Sequence, residues 1–211
     1  GLSLPGEVPV AWVEELYRGL QDCLTKYSTT IVGGDICRSP VISIAITAFG
    51  QVLPERVIRC DRAFVGDAIV VTGIHGASRA GLELLLNPEL GKNLTVSERE
   101  ELISAHQRPQ PRLDVLKYLP EIEVAGMDSS DGLADAIVQI CRCSGVGAHI
   151  KPSSIPLLPS LSKVVEPKQA LKWALYGGED FELVLCVPTP TALVLVAQIG
   201  KNAAIVGKII E

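Results

Sequence analysis

The sequence predicts an α/β fold, organised as two domains of which the first is incomplete. Three observations carry that prediction. Apolar residues make up 47% of the 211-residue chain and aromatic residues only 4%, so its core is aliphatic, as in sheets buried on both faces. From residue 64 onward, short apolar runs alternate with stretches of helical periodicity. Before that point one helix and two strands can be read, too few to bury both faces of a sheet.

Taken in order, residues 9–27 read as a helix, with Val13, Leu16, Tyr17, Leu20, Cys23 and Leu24 at helical spacing. Residues 28–32 read as a short β-branched strand that ends at Gly33-Gly34-Asp35. Residues 41–49, VISIAITAF, are nearly all apolar and read as a central strand. A charged connector over 53–65 leads to a strand at 68–72, and the turn IHGASRAG leads on to a helix through 82–86. That turn lacks both G-x-x-x-x-G-K-[ST] and G-x-G-x-x-G, so a plain strand-to-helix turn is favoured over a phosphate loop. Thr95 with Glu98 three residues later forms a capping box for a helix to residue 106, and its charge run reads as a solvated first turn. Pro111 starts another helix. Residues 124–127 read as a strand, 133–143 as a helix stopped by Gly145, and 146–150 as a strand. A Pro- and Ser-rich loop follows, then a helix at 168–175, a strand at 181–187, a helix at 191–199 and a last strand at 203–210.

The net charge of −5 argues against broad binding to nucleic acid or to an anionic membrane, although metal ions can still join acidic residues to phosphates. No apolar run approaches the roughly 20 residues that span a bilayer. The six cysteines form no C-x-x-C pair, and a chain this rich in aliphatic core needs no disulfide scaffold, so they read as reduced, mostly buried thiols of a cytoplasmic protein.

Three acidic turns carry the functional signal: Val32–Asp35, Met127–Leu133 and Tyr176–Asp180. In the second, Asp128 and Asp131 flank Ser129 and Ser130 just before a helix. Such a turn suits a hard cation, which takes oxygen ligands and lets substrate phosphates and water complete its shell. The alternative is a helix cap, which uses one acid or one serine. Gly33-Gly34-Asp35 and Gly177-Gly178-Glu179-Asp180 read alone as strand-end turns. Their recurrence points to one metal–nucleotide site. His75, His106 and His149 are isolated from any nucleophile and read as packed or surface residues. The chemistry best served by acids and glycines is metal-assisted phosphoryl transfer.

The segments VGGDICRSP, RAFVGDAIVVTG, RPQPRLDV, MDSSDGLADAI and YGGEDFELVLCVP, in this order, closely resemble the thiamine-monophosphate kinase family over essentially the whole chain. The resemblance implies a PurM-like two-domain fold, shared with aminoimidazole ribonucleotide synthetase. Residues 1–53 would be part of an N-terminal ATP-binding domain, 54–65 a connector and 66–211 the C-terminal domain. It implies transfer of the γ-phosphoryl group of ATP to thiamine monophosphate, giving thiamine diphosphate, with Mg2+ between aspartates and phosphates. By position, Gly34, Asp35 and Ser130 would contact ATP. Asp35, Asp128 and Asp131 would bind magnesium, and Glu179 would accept a hydrogen bond from the aminopyrimidine of thiamine. No general base is assigned, because the attacking phosphate oxygen is already anionic.

Two departures stand out. The place of the family's ATP-contacting arginine holds Cys60, with Arg59 as the nearest substitute. The family also has a further segment before this start and a tail after this end, so the chain alone is expected to turn over little substrate and the full-length protein to form a homodimer. Another ATP-dependent synthetase of the same superfamily, or a non-catalytic nucleotide-binding remnant, remain alternatives.

Overall fold

A computed structural model describes residues 1–119, 124–200 and 202–211, and divides the chain into residues 1–51 and residues 52–211. In the first unit, β1 (Leu2–Leu4) leads into α1 (Val10–Lys26), and β2 (Ile36–Arg38) returns parallel to β1. The stripe read from the periodicity is partly realised. Val13, Leu16, Leu20 and Leu24 are half-buried, whereas Tyr17 and Cys23 are exposed. Lys26 in the last turn of α1 favours the negative end of its dipole.

Two expectations fail in this unit. Residues 28–32 form no strand, and β1 and β2 lie elsewhere, because a β-branched run with no partner for its ladder has nothing to hold it extended. The apolar run 41–49 yields only β3 (Ser43–Ile44), which pairs antiparallel with β1 at the edge of the order β2-β1-β3, so the three-residue β1 is the central strand. Among the described residues of this unit only Leu2 is buried.

The second unit opens with a 3-10 turn at Pro54–Arg56 and β4 (Ile58–Arg59). The stretch read as a connector thus contributes a strand to the sheet of this unit. The remaining strands are β5 (Ala68–Val71), β6 (Val124–Asp128), β7 (Gly147–Ile150), β8 (Leu183–Val187) and β9 (Ala204–Ile210). They form a six-stranded sheet in the order β4-β6-β8-β5-β9-β7, antiparallel except for the β4–β6 pair. The helices are α2 (Ala77–Leu86), α3 (Val96–Gln107), α4 (Leu133–Ser144), α5 (Pro167–Tyr176) and α6 (Thr189–Ile199).

Alternation along β5 and β8 explains why they read as continuous apolar runs. Ile69, Val71, Val184 and Cys186 face a core closed by Leu133, Ala136, Ile137 and Ile140 of α4. Their neighbours Val70, Leu185 and Val187 face a second core closed by Ala192 and Leu195 of α6. Both faces are therefore covered, and each fully buried aliphatic side chain contributes about 1.5–3 kcal/mol. A third cluster joins Ala80 and Leu84 of α2, Leu102 of α3 and Trp173 of α5. The expected capping box forms in full: Glu98 N–H donates to Thr95 Oγ1, and Thr95 N–H donates to Glu98 Oε2. Lys163 also pairs with Glu98, and together with the cap it holds that carboxyl well down, to about 2.

The helix read from Pro111 is a 3-10 stretch, Leu113–Tyr118. Arg112 just before it leaves the helical region, with φ −81° and ψ 46°. The strand read from residue 181 starts instead at Leu183, because Phe181 has φ +52°, which no strand accommodates. All six cysteines are free, but only Cys186 is buried while Cys23, Cys37 and Cys143 are exposed, so the expectation of mostly buried thiols is corrected. Burial pushes the Cys186 thiol up to about 12.

Candidate functional site

Antiparallel pairing puts the end of one strand beside the start of the next, and this gathers the second unit's motifs. β6 runs antiparallel to β8 with Asp128 opposite Leu183, so the turn after β6 lies beside the loop before β8. β5 is antiparallel to β8 on its other side, with Val71 opposite Val184, so the turn after β5 joins the same edge. Residues 72–78, 128–132 and 177–182 therefore share one end of the sheet.

Backbone bonds knit two of these segments together. Ser129 N–H donates to Glu182 C=O at 2.8 Å, and Glu179 N–H donates to Ser130 C=O at 2.7 Å. Gly178 makes the approach possible. Its φ is +67°, and a Cβ there would come within 2.7 Å of Ser130 C=O. Glu179 and Phe181 also have positive φ, +60° and +52°, a costly geometry for residues with side chains that neighbouring contacts must hold in place.

Those contacts come from two carboxylates: Asp180, which closes the third acidic turn but is assigned no role of its own by the sequence, and Glu182 two residues beyond it. Asp180 accepts from the N–H of Gly76 at 2.7 Å and of Ser78 at 3.0 Å, at the start of α2. The N-terminus of α2 is thus filled by the chain's own carboxylate, which disposes of a phosphate loop in IHGASRAG. Burial raises the Asp180 carboxyl to about 6. Glu182 accepts from Thr72 Oγ1 at 2.6 Å and from Arg112 Nη1 at 2.5 Å, while Thr72 Oγ1 accepts from Leu183 N–H. The same Arg112 nitrogen donates to Thr72 C=O, and the other edge of the guanidinium forks onto Asp114. Burial pushes Glu182 upward despite these partners, and Arg112 draws Asp114 down. Gly73 leaves room for this network, since a Cβ there would meet Glu182 Oε1 at 2.1 Å. The signal that could have found it is the R-P-x-P-R run followed by a second acid two residues beyond Asp180.

The sequence-predicted residues divide as follows. Asp128 and Ser130 are half-buried and Asp131 is exposed. Among the described residues, no hydrogen bond or cation reaches the carboxylate of Asp128 or Asp131. The helix cap does not account for them, because the N-cap of α4 is Gly132 and no side chain caps it. Ser129 Oγ is fully buried and lacks a partner there. Glu179 is exposed, with Oε2 3.4 Å from His106 Nδ1. Arg59 donates to Asp61 at 2.8 and 2.6 Å. Gly34 and Asp35 belong to the first unit, both exposed, and Asp35 Oδ1 accepts from Ile36 N–H. Among the described residues, no cluster of three or more His, Cys, Asp or Glu stands at metal-binding distance. Asp128 and Asp131 are two acids free to coordinate, beside an unsatisfied buried hydroxyl, and this donor set fits a hard cation that takes its other oxygens from phosphate and water.

A cleft of about 760 Å3 lies next to the knitted loops, with Thr72, Glu101, Arg108, Arg112, Asp180 and Glu182 among its walls. None of the sequence-predicted site residues lines it. Among the described residues, no helix is long and apolar enough to cross a membrane.

Residues 1–52 match the model of the AIR synthase related protein, N-terminal domain, and residues 65–211 match that of the AIR synthase related protein, C-terminal domain. The chain belongs to the AIR synthase related protein family. Among relatives of this AIR synthase related chain, thiamine-monophosphate kinase of Synechococcus elongatus is 45% identical over all of the chain and 64% of the relative. Thiamine-monophosphate kinase of Escherichia coli K12 is 39% identical over 89% of the chain and 56% of the relative. The chain thus spans less than two thirds of these curated relatives. The solved thiamine-monophosphate kinase of Stenotrophomonas maltophilia superposes with a TM-score of 0.86 at 29% identity, over 100% of this chain and 67% of that one. A structure described as AaThiL complexed with AMPPCP and TMP gives 0.78 at 30%, over 100% and 65%. Escherichia coli HypE, at 19% identity and 0.70, over 100% of this chain and 66% of that one, shares the fold. The α/β, PurM-like expectation is met by this family and these structures.

Proposed function

We propose that this chain is the larger part of an ATP- and magnesium-dependent kinase that phosphorylates thiamine monophosphate to thiamine diphosphate. The observation that carries the reading is the knitting of the Asp128–Asp131 turn to the Glu179 loop at one sheet end. It sets two uncommitted carboxylates within a few residues of an exposed third, as an enzyme needs if it is to hold metal-bound phosphates beside a second substrate. The kinship with curated thiamine-monophosphate kinases supports the choice of substrate.

On this reading Asp128 and Asp131 of the second unit hold magnesium and Ser130 contacts ATP; in the first unit, Asp35 is a magnesium ligand and Gly34 an ATP contact. Bound magnesium neutralises phosphate charge and aligns the transferred group. Glu179 accepts from the aminopyrimidine of the thiamine moiety and so selects the acceptor. The chain's own residues bind and orient, and none need remove a proton, because the attacking phosphate oxygen is already ionised. Arg59 reaches the ATP phosphates only when its fork on Asp61 opens. The reading extends to a cytoplasmic homodimer.

Ligand-detected NMR titration of the chain tests it. Thiamine monophosphate is expected to bind and to lose affinity in Glu179→Ala. ATP is expected to bind more tightly with magnesium than without, and Asp128→Asn with Asp131→Asn to remove that gain. Absence of thiamine monophosphate binding, or a magnesium gain that survives both substitutions, overturns the proposal.

A further inference from the structure

Glu179 is exposed, yet its carboxylate is not without support. Its Oε2 stands 3.4 Å from His106 Nδ1, and the same nitrogen lies 3.2 Å from Ser78 Oγ. Ser78 in turn gives its N–H to Asp180 Oδ1. One residue of α2 therefore holds the backbone neighbour of Glu179 directly and reaches its carboxylate through the ring of His106. His106 sits in the last turn of α3, which is anchored against α2 through the buried Leu102. The ring is thus mounted on packed helices, whereas Glu179 sits on a loop.

A glutamate side chain left alone on a loop samples many rotamers, and a ligand that needs one of them must bear the cost of ordering it. Tying one carboxylate oxygen to a donor on a rigid helix removes much of that cost and leaves the other oxygen for the ligand. We propose that His106 is a positioning residue for Glu179. Its Nδ1–H is shared between Glu179 Oε2 and Ser78 Oγ, so that Oε1 faces the amino group of the thiamine pyrimidine. The inference rests on the reading of Glu179 as the residue that contacts thiamine monophosphate.

Two measurements on the intact chain test it. The first uses no ligand: the 15N resonance of His106 Nδ1 is expected to report a protonated nitrogen and to move in Glu179→Ala. An unmoved resonance overturns the inference. The second is titration with thiamine monophosphate and, separately, with magnesium-ATP. His106→Ala is expected to weaken thiamine monophosphate binding about five- to ten-fold, the scale of one net hydrogen bond, and to leave magnesium-ATP binding unchanged. His106→Asn, whose amide N–H replaces Nδ1–H, is expected to recover most of the loss. An equal fall for both ligands, or no fall in His106→Ala where Glu179→Ala does fall, overturns the inference. If Glu179→Ala leaves thiamine monophosphate binding intact, the functional reading of Glu179 fails instead, and the 15N result still decides whether His106 holds its side chain.

Discussion

The two units have similar apolar content and reach opposite states. Residues 52–211 carry three aliphatic clusters and bury both faces of a six-stranded sheet. Residues 1–51 bury only Leu2 among their described residues and leave Trp12, Val32, Val41, Ile46 and Phe49 in solvent. Apolar composition alone therefore does not make a core. A core needs enough elements to cover each apolar face, and one helix with a three-stranded sheet of eight residues does not supply them. The stability of the chain as it stands resides in its second unit.

The sharpest way to break that comparison is a pair of truncations. Leu185→Ala, in the middle of β8, is expected to destabilise the chain by about 3–4 kcal/mol in urea unfolding. Tyr17→Ala on α1 is expected to change the same transition by less than about 0.5 kcal/mol. Comparable losses from the two would mean that the first unit shares the cooperative core.

Next in size is Arg112→Ala, which strips Glu182 and Asp114 of their cation and leaves the half-buried Glu182 carboxylate unpaired. Removing one partner of a buried pair costs about 3 kcal/mol. Because Glu182 C=O also receives Ser129 N–H, hydrogen exchange at Ser129 and Glu179 should accelerate while β9 stays protected. Unchanged exchange at those two amides would detach Arg112 from the candidate site.

A smaller effect concerns pH. The Asp180 carboxyl is raised in the folded state, to about 6 from an ordinary 3.8, so the folded chain binds more protons than the unfolded chain between these values. Its contribution to stability is then fullest below pH 4 and declines as pH rises to about 6, by roughly 2–3 kcal/mol in all. In Asp180→Asn the dependence of unfolding free energy on pH over that window should lose this downward component. The smallest expected change is Thr95→Ala, about 1 kcal/mol for a lost cap, read from the same unfolding curves.

Much of the second unit was legible because its signals are local. The capping box at Thr95 and Glu98, the stop at Gly145 and the apolar strands each need only a few neighbouring residues to be recognised. The first unit was less legible for the converse reason. Three-residue strands such as Leu2–Leu4 have no periodicity to read, and STTIV at 28–32 has strand-forming residues but no partner. At the candidate site, the acidic turns stood out by composition. Glu182, Arg112 and the structural role of Asp180 did not, since these arise from segments about 70 to 110 positions apart in sequence. His106 reads as isolated in the sequence because Glu179, its partner, lies far along the chain.

The pairing of Asp128 with Leu183 has a consequence for how such a protein can change. Side chains in these strands alternate between two cores, so deleting or inserting a single residue in β6 or β8 would turn every inward side chain outward. It would also slide the Asp128 turn past the Glu179 loop and sever the two amide links between them. Substitutions in these strands can accumulate while their length cannot drift. The sheet acts as a gauge, and variation in size is left to loops away from this end of the sheet.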